Sequence, residues 1–201
     1  MISVYKIKPA FQKLLRPFVG VLYRIGFTAN RITWLSIILS VAVGVLFWMF
    51  PSGVMLWILP LALLVRMALN AMDGMMAREY KMQSKGGEVL NELGDVIADT
   101  AMYLPLIKLE GVNQWLLLGF IFLSILNEFS GVMGKVLGGA RRYEGPMGKS
   151  DRALVIGAMC LMLFFIPGII DYLNYIFGGM VILIVLSTSI RIKKALSEGS
   201  D

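Results

Sequence analysis

The sequence predicts an all-α integral membrane protein, with six transmembrane helices preceded by an N-terminal amphipathic helix lying in the membrane interface. Three observations predict it. With 58% hydrophobic residues and a mean hydropathy of +0.76, the 201-residue chain exceeds the usual apolar share of a soluble domain. From Ile32 to Val65 there are 34 consecutive residues without a charge. The basic residues gather in alternate intervals between apolar segments, the pattern that positive-inside sorting leaves. No internal repeat or low-complexity segment interrupts residues 1–201, which read as a single membrane domain.

Residues 8–26 (KPAFQKLLRPFVGVLYRIG) repeat Phe11, Leu14, Leu15, Phe18 and Leu22 at helical spacing, with Lys13, Arg16 and Arg24 elsewhere. That is an interfacial helix anchored on the lipid bilayer, with Pro17 as its kink. A crossing needs roughly 20 mostly apolar residues. Spans at about 32–50, 54–77, 113–134 and 172–192 meet this, and Pro51-Ser52-Gly53 turns the chain between the first two. Residues 152–170 form a further span closed by Pro167-Gly168. The interval 89–107 is too polar in its first half to be chosen by hydropathy. It is assigned because residues 96–107 are mostly apolar and the topology requires a crossing. With six spans, 18 of the 19 Lys and Arg residues fall on one side and Lys108 on the other. This puts both termini in the cytoplasm, with a bacterial-type inner membrane as the location. The net charge of +6 is accounted for by that sorting and calls for no nucleic-acid partner.

Some chemistry is excluded at once. The opening MISVYKIK has no apolar stretch of a secretory signal, and Ile2 excludes N-myristoylation. There is no histidine, and Cys160 is the sole cysteine, so neither an intrachain disulfide nor a His/Cys zinc or copper site can form. Cys160, in the run AMCLMLFF, reads as a small core residue.

After the uncharged run, charges crowd into Asn70–Asp99 (NAMDGMMAREYKMQSKGGEVLNELGDVIAD). On a helix, Asn91, Asp95 and Asp99 share one face, with Glu92 beside them, and Asn70, Asp73 and Ala77 share another. A charge deep in a span costs about 3 kcal/mol on insertion scales, so three acids on one helix cost on the order of 9 kcal/mol if unpaired. Arg66, Arg78 or a bound cation must offset this. Oxygen-only ligands select a hard ion such as Mg²⁺, Mn²⁺ or Ca²⁺, and Mg²⁺ is typically held by one or two carboxylates plus substrate phosphates. Two readings follow from spacing alone. One is a divalent metal site at the membrane edge for a phosphate-bearing substrate. The other is a structural polar cluster that holds helices together or lines an ion path.

The same stretch resembles the signature of the CDP-alcohol phosphatidyltransferase family, D-x2-D-G-x2-A-R-x8-G-x3-D-x3-D. Asp73-Gly74, Ala77-Arg78, the eight-residue spacer, Gly87 and Asp95 match in type and spacing, and TANRIT (Thr28–Thr33) is similar to the family's entry into its first span. Asn70 and Asn91 stand where the pattern has aspartate, and Asp99 lies one turn beyond it. A register using Asp95 and Asp99 as the last two acids breaks the spacer and loses Gly87.

The resemblance implies transfer of a phosphatidyl group from CDP-diacylglycerol to an alcohol with release of CMP, by a homodimer. It implies Mg²⁺ or Mn²⁺ held by Asn70, Asp73, Asn91 and Asp95, with Asp95 also the general base and Asp99 in reserve. Gly74, Ala77, Arg78, Ser84 and Gly87 then fall at the CDP part of the donor. Physical chemistry supports two of these directly. Gly74 lets backbone approach a nucleotide closely, and Arg78 offers a planar fork for diphosphate oxygens. With Asp73 and Asp95 alone charged, the four pattern positions carry −2, enough to balance one divalent ion.

For the acceptor, a polar alcohol with or without a phosphate, the candidates are Glu128 and the cations Lys135, Arg141, Arg142, Lys149, Arg152 and Arg191. Glu128 sits on one face with Ser124, Asn127, Gly131 and Gly134. An ionisable group at membrane depth is a functional candidate by default, or else one half of an interhelical pair. The cations make either a pocket for an acceptor phosphate or positive-inside charge beside lipid headgroups. Gly134-x3-Gly138 allows close packing and a dimer seam. Two other functions stay open at this stage: a catalytically weakened relative that binds lipid or nucleotide, and an ion transporter.

Overall fold

The computed structural model describes residues 8–198, so the opening MISVYKI and its secretory-signal and myristoylation expectations lie outside the described residues. All regular structure among these residues is helical. The described residues divide into two compact units, one running to Pro105 and the other from Leu106 onward.

In the first unit, α1 (Lys8–Arg24), α2 (Ala29–Met49), α3 (Met55–Glu79) and α4 (Lys85–Tyr103) pack together. The Thr28 hydroxyl accepts from Arg31 N at 3.4 Å and starts α2, and Ser84 Oγ accepts from Gly87 N at 3.0 Å and starts α4. Each hydroxyl satisfies one of the donors that a helix start leaves over. α2 ends before Pro51, which cannot continue it. Between apolar helices in lipid there is little hydrophobic driving force, so close backbone approach must hold them together. Gly44 of α2 provides it: a Cβ there would overlap the Ala101 carbonyl of α4.

α1 packs on one face against α2 and α3. Leu15 and Val19 are buried with Ile32 of α2 and with Leu69, Met72 and Met76 of α3, while Leu14 and Phe18 stay 67% and 60% exposed. Arg16 pairs with Glu79 at 3.0 Å, and Tyr23 stacks on Tyr80 with centroids 3.7 Å apart.

After a short 3-10 turn (Leu104–Lys108), within which the first unit ends, the second unit holds α5 (Gln114–Val136), α6 (Lys149–Phe165), a second 3-10 turn (Pro167–Tyr172) and α7 (Leu173–Glu198). Asn113 caps α5 through Leu116 N at 3.1 Å.

Boundaries shift from the sequence-based ones in a consistent way. α3 runs to Glu79 rather than residue 77, and α4 starts at Lys85 rather than 89, because hydropathy does not register the capped polar turns at the helix ends. α4 stops at Tyr103, and the rest of the expected span is 3-10, where Pro105 lacks the N–H that an α-turn needs. Four of the expected six spans lie on stretches long and apolar enough to cross a membrane: Ala29–Met49, Met55–Glu79, Gln114–Val136 and Pro167–Ser197. α4 carries Glu88, Glu92, Asp95 and Asp99, and α6 has 17 residues, so composition withholds the first and length the second. A Cβ on Gly134 would meet Ala140 and Arg142 of the chain's own loop. Gly138 lies beyond α5 with φ +87°.

Candidate active site

The polar residues of the first unit converge from three helices. Thr33 and Ser36 sit on α2 one turn apart, Arg66, Asn70 and Asp73 on α3, and Asn91, Asp95 and Asp99 on α4. Thr33 Oγ1 donates to Asp73 Oδ2 at 2.9 Å, and Asn91 Nδ2 donates to the same oxygen at 3.2 Å. Asn70 Nδ2 donates to Asp95 Oδ1 at 2.7 Å, while its own carbonyl oxygen accepts from Ser36 at 2.9 Å. Arg66, 1% exposed, reaches both aspartates of α4. Its Nη1 lies 2.6 Å from Asp99 Oδ1, and its Nη2 lies 3.4 Å from Asp95 Oδ1 and 3.2 Å from the Asp95 carbonyl. Asp73, Asp95 and Asp99 are all at most 5% exposed. The two asparagines thus cross-link α3 and α4 by amide donation to carboxylates. Among the described residues no three Asp, Glu, His or Cys side chains form a ready metal-ligating group.

Toward the C-terminal end of α3, Arg78 is exposed and turns back over Gly74, where a Cβ would lie 3.3 Å from Nη1. Ala77 sits one residue before it, part-buried. At the start of α4, a Cβ on Gly87 would come 2.7 Å from Asn30 Oδ1 and 3.0 Å from Ser84 Oγ, so glycine keeps the helix start against α2. Ser84, expected at the donor, is therefore first of all a helix cap.

The second unit holds a separate cluster. Glu128 of α5 accepts from Arg152 Nη2 at 2.8 Å and from Arg141 Nη2 at 2.9 Å, with Arg191 and Lys149 adding positive field. Arg152 and Arg191 are 0% and 2% exposed. Arg191 donates to the Asn127 carbonyl at 2.6 Å and to the Glu144 carbonyl at 3.1 Å. The Asn127 side-chain oxygen accepts from Thr188, and its buried Nδ2 has no hydrogen-bond partner among the described residues. The loop from Leu137 to Gly148 can lie on α5 because Gly131 has no Cβ, which would stand 2.7 Å from the Arg142 carbonyl. Arg142 N donates to the Gly131 carbonyl at 2.9 Å, and its guanidinium approaches Glu144 at 3.5 Å. Burial raises the Glu144 carboxyl, but hydrogen bonds from backbone N–H groups and Lys194 outweigh it and hold it below the ordinary range. Lys135 lies exposed in the last turn of α5.

A family model described as CDP-alcohol phosphatidyltransferase matches residues 27–190. The chain belongs to that family. Its relatives include the inner membrane protein YnbA of Escherichia coli K12, 40% identical over 199 residues and 99% of each chain. The fold is also that of phosphatidylinositol phosphate synthase PgsA1 from Mycobacterium tuberculosis. The structure with CDP-DAG bound has a TM-score of 0.76 at 20% identity, covering 94% of this chain and 98% of that one. The structure with manganese and citrate gives 0.75 at 20% identity, covering 92% and 91%.

In this family member the residues singled out from sequence fall into two groups, one in each unit. Sequence reasoning missed Ser36 and Glu144. Ser36 had a signal: Thr33, Ser36 and Ser40 form a hydroxyl stripe at helical spacing in an otherwise apolar helix, and all three are buried. Glu144 had none, since an acid in a loop is ordinary.

Proposed function

We propose that this protein transfers a phosphatidyl group from CDP-diacylglycerol to a polar alcohol carrying a phosphate, in a divalent-metal-dependent reaction of bacterial inner-membrane phospholipid synthesis. The observation that carries the reading is the convergence of Asn70, Asp73, Asn91 and Asp95 from two helices onto one hydrogen-bonded site, with Gly74 and Arg78 on the same helix as the first two. The donor set is two carboxylates and two amide groups, all able to present oxygen, which fits one hard divalent ion. When bound, such an ion neutralises charge on the diphosphate.

The chain's own residues do the rest. Arg78 takes diphosphate oxygens with a two-pronged guanidinium, and Gly74 leaves backbone open to the nucleotide. An apolar cleft of about 590 Å³, lined in part by Phe18, Phe27, Leu35 and Leu69, suits acyl chain. Asp95 accepts the proton of the acceptor hydroxyl as its oxygen bonds to the lipid-linked phosphorus. The bond from that phosphorus to the bridging oxygen breaks, and CMP leaves with the electron pair. For the acceptor, the support is a buried arginine set with a leftover Asn127 donor, suited to a phosphate.

A second reading has one observation in its favour. Both asparagine amides donate to the carboxylates, so Asp95 and Asp73 each already accept a hydrogen bond from within the chain, as a relative that binds the donor without transfer would have it. CMP release separates the two. Full-length protein in lipid, given CDP-diacylglycerol, glycerol phosphate and Mn²⁺, should release CMP, and release should stop when the ion is chelated. Donor binding with no CMP would favour the second reading.

Arg78→Lys keeps the charge but removes the fork. It should raise the KM for CDP-diacylglycerol roughly tenfold, the cost of about one charge-assisted hydrogen bond. An unchanged donor KM would take Arg78 out of the donor site.

Neutralising Arg141, Arg142 or Lys149 singly should raise the KM of a phosphorylated acceptor more than that of the donor. Equal small rises would return those residues to positive-inside sorting.

A further inference from the structure

Charge balance read from the four pattern positions is incomplete, because Asp99 is buried in the same cluster. With Asp73, Asp95 and Asp99 the site holds three carboxylates, and Arg66 is the basic side chain seen among them, 1% exposed and set against two of the three. Neither Arg66 nor Asp99 falls at a position of the signature, from which the chain also departs at Asn70 and Asn91. They face each other across α3 and α4 at 2.6 Å, and the same guanidinium touches Asp95.

We propose that Arg66 is a resident cation of the site: it cancels the charge of Asp99, holds Asp95 on the α4 side, and limits the chain to one divalent ion. The inference rests on the divalent-ion reading above and adds who supplies the remaining positive charge. Three carboxylates against one guanidinium leave two negative charges, which one divalent ion neutralises and two would exceed. The guanidinium is also fixed. It is tied to the Asp95 carbonyl as well as to the side chains, so it stays when substrate and ion leave. Arg66 is a positioning residue here. It acts on the ion and on the donor through Asp95.

The test counts ions on full-length, nucleotide-free protein in nanodiscs, by titrating Mn²⁺ and following free Mn²⁺ by electron paramagnetic resonance. Wild type should bind one Mn²⁺ per chain. Arg66→Met should bind a second, or bind the first roughly tenfold or more tightly, since a unit charge a few ångströms away acts strongly in a poorly screened site. Asp99→Asn, with Arg66 kept, should weaken the ion by a similar factor. The double variant Arg66→Met with Asp99→Asn should return to within about threefold of wild type, because it removes one charge of each sign.

A purely structural pair moves none of these affinities, and a directly ligating Asp99 leaves the double variant weak. Either result would overturn the proposal, as would two tight ions, or none, in wild type. If Arg66→Met does not fold, the wild-type count and the Asp99→Asn and double variants still decide it. Because the readout is ion binding and not CMP, its failure is distinct from failure of the transfer reaction.

Discussion

Asp95→Asn should lower phosphatidyl transfer by roughly 10²–10⁴-fold, the usual contribution of a positioned general base, with the fold intact. The reason for expecting an intact fold is local. Asn70 Nδ2 and Arg66 Nη2 both approach the same oxygen, Oδ1, at 2.7 and 3.4 Å. An asparagine carbonyl placed there still accepts from both. What is lost is the anionic oxygen that takes the proton. Arg66 keeps Asp99 as a countercharge at 2.6 Å, so no buried cation is stranded. The check is turnover of the purified variant beside its thermal unfolding midpoint. Turnover near wild type would remove Asp95 as the base and move attention to Asp99.

Glu128→Gln has the largest expected effect on stability. Glu128 is the carboxylate that pairs with Arg152 and Arg141, at 2.8 and 2.9 Å, and Arg152 is fully buried. Removing one partner of a buried ion pair leaves the other uncompensated, at a cost of about 3–5 kcal/mol. The phosphorylated-acceptor reading adds a signature that simple destabilisation lacks. A phosphate that enters the cluster restores the missing charge, so inorganic phosphate should raise the unfolding temperature of Glu128→Gln more than that of wild type. Differential scanning in a phosphate series checks both. A large destabilisation that phosphate does not relieve would leave Glu128 and its arginines as a purely structural pair.

Much of this was legible in sequence, for stated physical reasons. The apolar runs gave α2, α3, α5 and α7 because length and hydropathy are local properties. The placement of Asn70, Asp73, Asn91 and Asp95 on two facing helices was legible because helical spacing is local too. The partners that turn these faces into a site were not. Arg66 could have paired with several acids, and its choice of Asp95 and Asp99 depends on how α3 meets α4. That approach is set at a distance, by Gly44 of α2 against Ala101 of α4, where a single absent methyl permits contact. The role of α1 was half visible. Its amphipathic pattern read as that of an interfacial helix, but its grip on the end of α3 through Arg16–Glu79 and Tyr23–Tyr80 joins residues far apart in the chain. Gly134-x3-Gly138 read as a packing seam, whereas Gly134, like Gly131, admits the chain's own returning loop.

The central claim is that a phosphatidyl group passes from CDP-diacylglycerol to a phosphate-bearing alcohol. The most direct measurement gives the purified full-length protein ³²P-labelled CDP-diacylglycerol, Mn²⁺, and glycerol phosphate or inositol phosphate beside their unphosphorylated counterparts, and identifies the lipid product by mass. The account predicts a labelled phosphatidyl-alcohol phosphate, formed with one CMP per product and absent with Asp95→Asn. Recovery of unchanged CDP-diacylglycerol with every alcohol, from protein that binds it, would contradict the account.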